Sequence, residues 1–80
     1  MKIYDVWLMK QVEGSIIGDF EMIDTMVATS YRDAVKTAKE QSLIFDACNV
    51  VCEEWDGYND YDILWKERYE NGIKQWRVKL

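Results

Sequence analysis

The clearest periodic pattern along the chain lies between residues 30 and 43. Apolar positions recur there at the spacing of one helical face, namely Tyr31, Ala34, Val35 and Ala38. Ser30 precedes this stripe, and Asp33 follows three residues later, so the serine hydroxyl can accept a backbone N–H of the first turn. Because the stripe is narrow and made mostly of small side chains, we predict one helix that lies close against a sheet and ends between Gln41 and Leu43.

Two strands are predicted before the helix, over residues 2–10 and 20–28, with the segment QVEGSIIGD between them. In the first strand both sets of alternating positions are largely apolar. One set is Tyr4, Val6 and Leu8, and the other is Ile3, Trp7 and Met9. Two apolar sides are typical of an internal strand, or of a strand whose outer side is covered.

Three more strands are predicted after the helix. The first is CNVVCEEW, the polar loop DGYND follows it, and the terminal segment LWKERYENGIKQWRVKL contains two strands joined by a turn. Short connections between neighbouring strands favour an antiparallel meander. We therefore predict one domain over residues 1–80, an α+β two-layer fold with a single helix packed on an antiparallel sheet, in the order β-β-α-β-β-β.

The dipeptide Asn71-Gly72 predicts a tight type I′ turn, since such a turn needs positive φ at both central residues. With that turn and regular pairing, Tyr69 lies opposite Lys74, and Lys66 lies opposite Arg77. Four cations then share the side of the hairpin that faces away from the helix: Lys66, Arg68, Arg77 and Lys79. Like charges directly opposite are unfavourable. This basic hairpin therefore predicts one of three arrangements. Acids on a neighbouring strand offset the charge, or the long side chains are solvated and splayed apart, or the patch is a site for an anion, such as a phosphate backbone or an acidic protein surface.

The charge distribution is bipolar in a chain of net charge −5. Residues 43–62 contain six acids and no Lys or Arg, whereas residues 63–80 contain five cations. The acidic loop and its aromatic residues are the candidate partner-binding set: Glu53, Glu54, Trp55, Asp56, Tyr58, Asp60 and Asp62. Carboxylates steer encounter with a basic partner and aromatic side chains anchor it. With a loop over residues 56–60, Glu54 lies opposite Asp62, which is another like-charge pair. The alternative is a solvated loop with part-buried aromatic side chains.

Catalytic chemistry has little support in the sequence. The chain has no His, no G-x-S-x-G motif and no phosphate-cradling glycine loop, so we expect neither an enzyme nor a cofactor. Cys48 and Cys52 would lie about 13 Å apart along a strand, too far for a disulfide, and two thiols without His make a poor zinc site. We expect buried, reduced cysteines and no metal. The N-terminus lacks a signal-peptide pattern and no apolar run could span a membrane, which predicts a cytosolic protein.

The helix segment SYRDAVKTAKEQ, with Ser30, Ala34 and Ala38 at the spacing S-x-x-x-A-x-x-x-A, is followed by the aromatic and charged hairpin LWKERYENGIKQWRV. These segments resemble the small phage-encoded anti-CRISPR proteins built as one helix on an antiparallel sheet. The resemblance covers most of the chain as a pattern, without a diagnostic motif. It implies a non-enzymatic inhibitor that blocks the nucleic-acid-binding surface of a bacterial defence complex in the host-cell cytosol. Such an inhibitor can act as a nucleic-acid mimic that presents carboxylates in place of phosphates. The acidic loop fits this mechanism, and the basic hairpin does not.

Two other functions stay open at this point. A small nucleic-acid-binding accessory module would use the basic hairpin, although a net charge of −5 opposes binding to phosphates. In a homodimer, the basic hairpin of one copy would meet the acidic loop of the other, and an exposed terminal strand favours such pairing.

Overall fold

A computed structural model describes residues 1–58 and 61–80, which form five strands and one helix. The elements are β1 (Lys2–Gln11), β2 (Phe20–Ala28), α1 (Tyr31–Gln41), β3 (Ala47–Trp55), β4 (Tyr61–Glu70) and β5 (Ile73–Lys79). Asp60 of the predicted acidic loop lies outside the described residues. Within the described residues, no helix is long and apolar enough to cross a membrane.

The strands form one antiparallel sheet in the order β2-β1-β3-β4-β5, and α1 packs on one face of it, mainly against β1 and β3. The predicted α+β fold and the order β-β-α-β-β-β are confirmed. β1 has a strand on each side, as its two apolar sides predicted.

Local hydrogen bonds determine where α1 begins and ends. Ser30 Oγ accepts the N–H of Asp33 at 3.1 Å, the predicted cap. At the other end, Ser42 Oγ accepts the N–H of Gly72 at 2.9 Å. This bond ties the end of α1 to the turn between β4 and β5, so the helix crosses the sheet towards that turn.

The main core lies between α1 and the sheet. Its buried members are Val6, Leu8, Ala34, Ala38, Cys48, Val50 and Tyr69. Small residues on α1 let the helix approach closely, and the sheet supplies the bulk. Both cysteines are free and buried, as predicted.

The hairpin of β4 and β5 follows the predicted register only next to its turn. Asn71 and Gly72 have φ values of 52° and 77°, and Tyr69 lies opposite Lys74. Gln75 is then an extra residue on β5, a bulge that slips the following pairs by one position. Glu67 consequently lies opposite Arg77, and the predicted pairing of Lys66 with Arg77 is wrong.

Candidate binding surfaces

The bulge at Gln75 divides the predicted basic patch between the two faces of the sheet. Since a one-residue slip moves every later side chain to the other face, Arg77 and Lys79 point to the side that carries α1. Lys66 and Arg68 lie on the other side, which we call the open face. The prediction that all four cations emerge together is therefore wrong.

Lys66 is held on the open face by an aromatic ring. Its Nζ lies 4.7 Å from the ring centroid of Trp7 on β1. Val51 on β3, the cross-strand neighbour of Lys66, is fully buried.

Arg68 is held still more tightly. Its guanidinium carbon lies 4.6 Å from the ring centroid of Phe20 and 5.2 Å from that of Trp76, so the group sits between two aromatic side chains. Its Nε donates a hydrogen bond to Oδ1 of the buried Asn49 at 2.6 Å. With 11% of its side chain exposed, Arg68 stabilises the open face and offers little charge to a partner.

The most organised polar group is a buried carboxylate on the helix side. Glu67 is fully buried, and the hydroxyl of Tyr31 lies 2.9 Å from each of its two oxygens. Tyr69 donates to it at 3.2 Å, while Lys74 and Arg77 form ion pairs with it at 3.2 and 3.6 Å. Burial raises the pKa of Tyr31 and of Tyr69 above the usual range, and the neighbouring Glu67 carboxylate raises both further. We call these five residues the Glu67 cluster.

The sequence contains a signal for this cluster. Glu67 alternates with Trp65 and Tyr69 on the side predicted to cover the helix. A carboxylate buried there needs hydrogen-bond or charge partners. The identity of those partners depends on the bulge, which turns Arg77 towards Glu67.

Beyond the first turn of α1, a concavity of about 580 Å³ opens on the helix side of the sheet. It is lined by Lys2, Leu64, Trp65, Arg77, Lys79 and Leu80, and we call it the basic concavity. Arg77 lies over the ring of Trp65, with 4.1 Å between the guanidinium carbon and the ring centroid. Lys79 is the cross-strand neighbour of Trp65. The predicted candidates Arg77 and Lys79 therefore stay together, joined by Lys2.

The residues of the predicted acidic loop do not all lie together, because Glu53 is separate from the others. This side chain lies on the open face near Asp5 and is half-buried. Burial, followed by the neighbouring Asp5, raises the pKa of Glu53 to about 7. Glu53 is therefore part of a carboxyl pair on the sheet, and Asp5 is a partner that sequence reasoning missed.

The remaining described members, joined by Tyr61, form what we call the acidic end of the sheet: Glu54, Trp55, Asp56, Tyr58, Tyr61 and Asp62. Glu54 and Trp55 are partly buried there, and the other four are exposed. Glu54 lies opposite Asp62 on the neighbouring strand, as predicted for a loop over residues 56–60. Glu54 also lies 3.3 Å from the amino group of Met1.

Aromatic and turn contacts give the acidic end its shape. Trp55 and Tyr61 stack with 6.1 Å between ring centroids and 17° between planes. Asp56 Oδ1 accepts the N–H of Tyr58 at 2.7 Å, and Trp55 Nε1 donates to the carbonyl of Tyr58 at 3.2 Å. The side chain of Tyr58 is left 83% exposed.

Among the described residues, no group of three or more Cys, Asp or Glu side chains is placed to hold a metal ion. Comparisons of the chain with protein-family models, with characterised proteins and with solved structures found no match. The charges, burial and contacts of these surfaces are thus the basis for any functional assignment.

Proposed function

We propose that this protein acts by binding rather than by catalysis, as an inhibitor of the anti-CRISPR type in the host-cell cytosol. Its acidic end docks on a basic, nucleic-acid-binding surface of a bacterial defence complex. The carboxylates of Glu54, Asp56 and Asp62 take the place of phosphates, and exposed aromatic side chains anchor the contact.

One observation carries this proposal: Glu54 and Asp62 face each other on neighbouring strands. Like charges in directly opposite positions destabilise a strand pair. The Met1 amino group and the cross-strand Lys2 lie beside Glu54, but Asp62 forms no ion pair among the described residues. A basic partner would offset the repulsion, and complementary charge speeds association. Tyr58 and the stacked Trp55 and Tyr61 supply the aromatic area that protein interfaces concentrate.

The alternative of a nucleic-acid-binding module loses its main support when the basic hairpin divides. Lys66 and Arg68 are engaged with aromatic rings on the open face, away from Arg77 and Lys79. A strand of nucleic acid would then meet only two of the four predicted cations on either face of a molecule of net charge −5.

The test begins with capture on the immobilised full chain from nuclease-treated bacterial lysate. Each recovered complex is then assayed for binding of its own nucleic acid while free chain is added. The acidic-end variant is E54Q/D56N/D62N, in which the amide introduced by D56N keeps an oxygen for the N–H of Tyr58. The matched control, E13Q/E21Q/D24N, makes the same change in net charge at exposed positions outside the acidic end.

We expect the native chain and the control to displace nucleic acid from the captured complex, and the acidic-end variant to lose this competition. A captured complex that keeps its nucleic acid would contradict the proposal. If the control variant loses the competition as fully as the acidic-end variant, the displacement depends on net charge and not on the acidic end. Capture that requires nucleic acid, and survives in the acidic-end variant, would return the assignment to the nucleic-acid-binding module.

A further inference from the structure

The basic concavity combines positive charge with an aromatic floor, and the proposed function makes no use of it. Its lining contains three cationic side chains and, among the described residues, no acidic side chain. Its volume of about 580 Å³ lies within the roughly 300–1,000 Å³ that is typical of sites for small molecules.

The cations of this region exceed the acids that could neutralise them. Lys74 and Arg77 share one buried carboxylate, that of Glu67. Among the described residues, neither Lys2 nor Lys79 forms an ion pair. Lys2 has Glu54 as its cross-strand neighbour, whereas Lys79 lies opposite Trp65 and has no acidic side chain as its cross-strand neighbour.

Arg77 is pre-positioned for an anion. Its guanidinium lies against the ring of Trp65 at 4.1 Å, and its Nε lies 3.6 Å from Glu67. About half of the side chain, 49%, stays exposed. A guanidinium fixed at one face and one edge loses little freedom on binding, and its planar donors suit two oxygens of one phosphate.

We propose that the basic concavity binds a nucleotide-sized phosphate ester. Arg77 and Lys79 contact the phosphate oxygens. The organic part of the ligand lies against Trp65, Leu64 and Leu80, of which Leu80 is 67% exposed. A doubly charged phosphate suits this pair of cations better than a single carboxylate, because each cation then faces its own oxygen.

Neighbouring acids limit how large this anion can be. Lys2 is the cross-strand neighbour of Glu54, which in turn faces Asp62. A long nucleic-acid strand leaving the concavity in that direction would meet these carboxylates. The site therefore takes a compact phosphate, either a free nucleotide or the terminal phosphate of a strand.

The test is an NMR titration of the ¹⁵N-labelled full chain, observing the Trp65 indole and the Leu80 amide. The probes are ADP, adenosine, inorganic phosphate, and a dinucleotide with and without a 5′-phosphate. The site variant is R77Q/K79Q. The control K36Q/K39Q removes the same charge from α1, where the two lysines line a concavity that has no aromatic floor.

We expect saturable shifts at Trp65 with ADP and with the 5′-phosphorylated dinucleotide, and none with adenosine. The site variant should weaken ADP binding by about tenfold or more, since charged hydrogen bonds are lost, while the control leaves it unchanged. Weaker binding of inorganic phosphate than of ADP would show that the organic part contributes.

Arg77 also belongs to the Glu67 cluster, so R77Q/K79Q removes an ion pair of the fold together with the proposed ligand contacts. The single variant K79Q keeps that ion pair and separates weaker binding from loss of folding. Lys79 has no ion pair among the described residues, and K79Q should weaken ADP binding while the NMR spectrum stays dispersed. The proposal is overturned if ADP causes no shift at Trp65 at about 10 mM, far above the affinities typical of such sites. Equal weakening in the site variant and the control would also overturn it, as would dinucleotide binding that does not need the 5′-phosphate.

Discussion

The hydroxyl of Tyr31, the first residue of α1, lies 2.9 Å from both carboxylate oxygens of the fully buried Glu67 on β4. This contact joins the start of the helix to the sheet at a point where the core is polar. Lys74 and Arg77 neutralise the carboxylate from β5. One acid thus connects three elements of the fold and positions Arg77 beside the basic concavity.

The first prediction concerns Glu67. E67Q should lower the free energy of unfolding by about 1–3 kcal/mol, because the variant loses a buried charge-assisted network while keeping the size of the side chain. Urea unfolding measures the change. Y31F is the companion variant, with a smaller loss of about 1 kcal/mol for one hydrogen bond. An unchanged midpoint for E67Q would show that the cluster does not stabilise the fold.

The second prediction concerns Arg68, which lies between Phe20 and Trp76 on the open face. R68K should destabilise the protein by about 1–2 kcal/mol, because lysine cannot reproduce the planar contact with Phe20 and Trp76 or the bond to Asn49. The control R32K makes the same exchange at an exposed position on α1. Thermal unfolding of both variants compares them, and equal melting temperatures would argue against a structural role for Arg68.

The third prediction follows from the raised pKa of Glu53, about 7 against an ordinary value of 4.5. Because folding favours the protonated carboxyl, the free energy of unfolding contributed by Glu53 is largest below pH 4.5 and is lost as pH rises to 7. Allowing for solvent around a half-buried side chain, the loss is about 1–2 kcal/mol.

Urea unfolding of the native chain and of E53Q between pH 4 and 8 isolates this contribution as the difference between the two curves. D5N should move the pH-dependent loss of this stability to lower pH, since it removes the negative charge next to Glu53. A difference between native and E53Q that does not vary with pH would contradict the raised pKa.

The fourth prediction concerns the two thiols on β3. Burial raises the pKa of Cys48 to about 11 and also raises that of Cys52, so neither forms much thiolate near pH 8. A thiol-specific colour reagent should therefore react slowly with the native protein and fully with the unfolded one. Rapid reaction of one thiol under native conditions would show that β3 opens locally.

Local chemistry explains which elements could be predicted from sequence. The cap at Ser30 and the turn at Asn71-Gly72 depend on residues within three positions of one another, so their energies are visible in a short window. The alternating apolar positions of β1 likewise report its internal place in the sheet. For the same reason, the facing of Glu54 and Asp62 followed from the loop length alone.

The binding surfaces could not be predicted in the same way. The bulge at Gln75 is decided by contacts between the two strands, such as Arg68 with Trp76 and Arg77 with Glu67, and not by a local sequence signal. By itself the sequence determined the order of elements, the hairpin turn and the bipolar charge. Only the tertiary structure decided which face each charge occupies, because a single extra residue in one strand reverses the sides of all that follow.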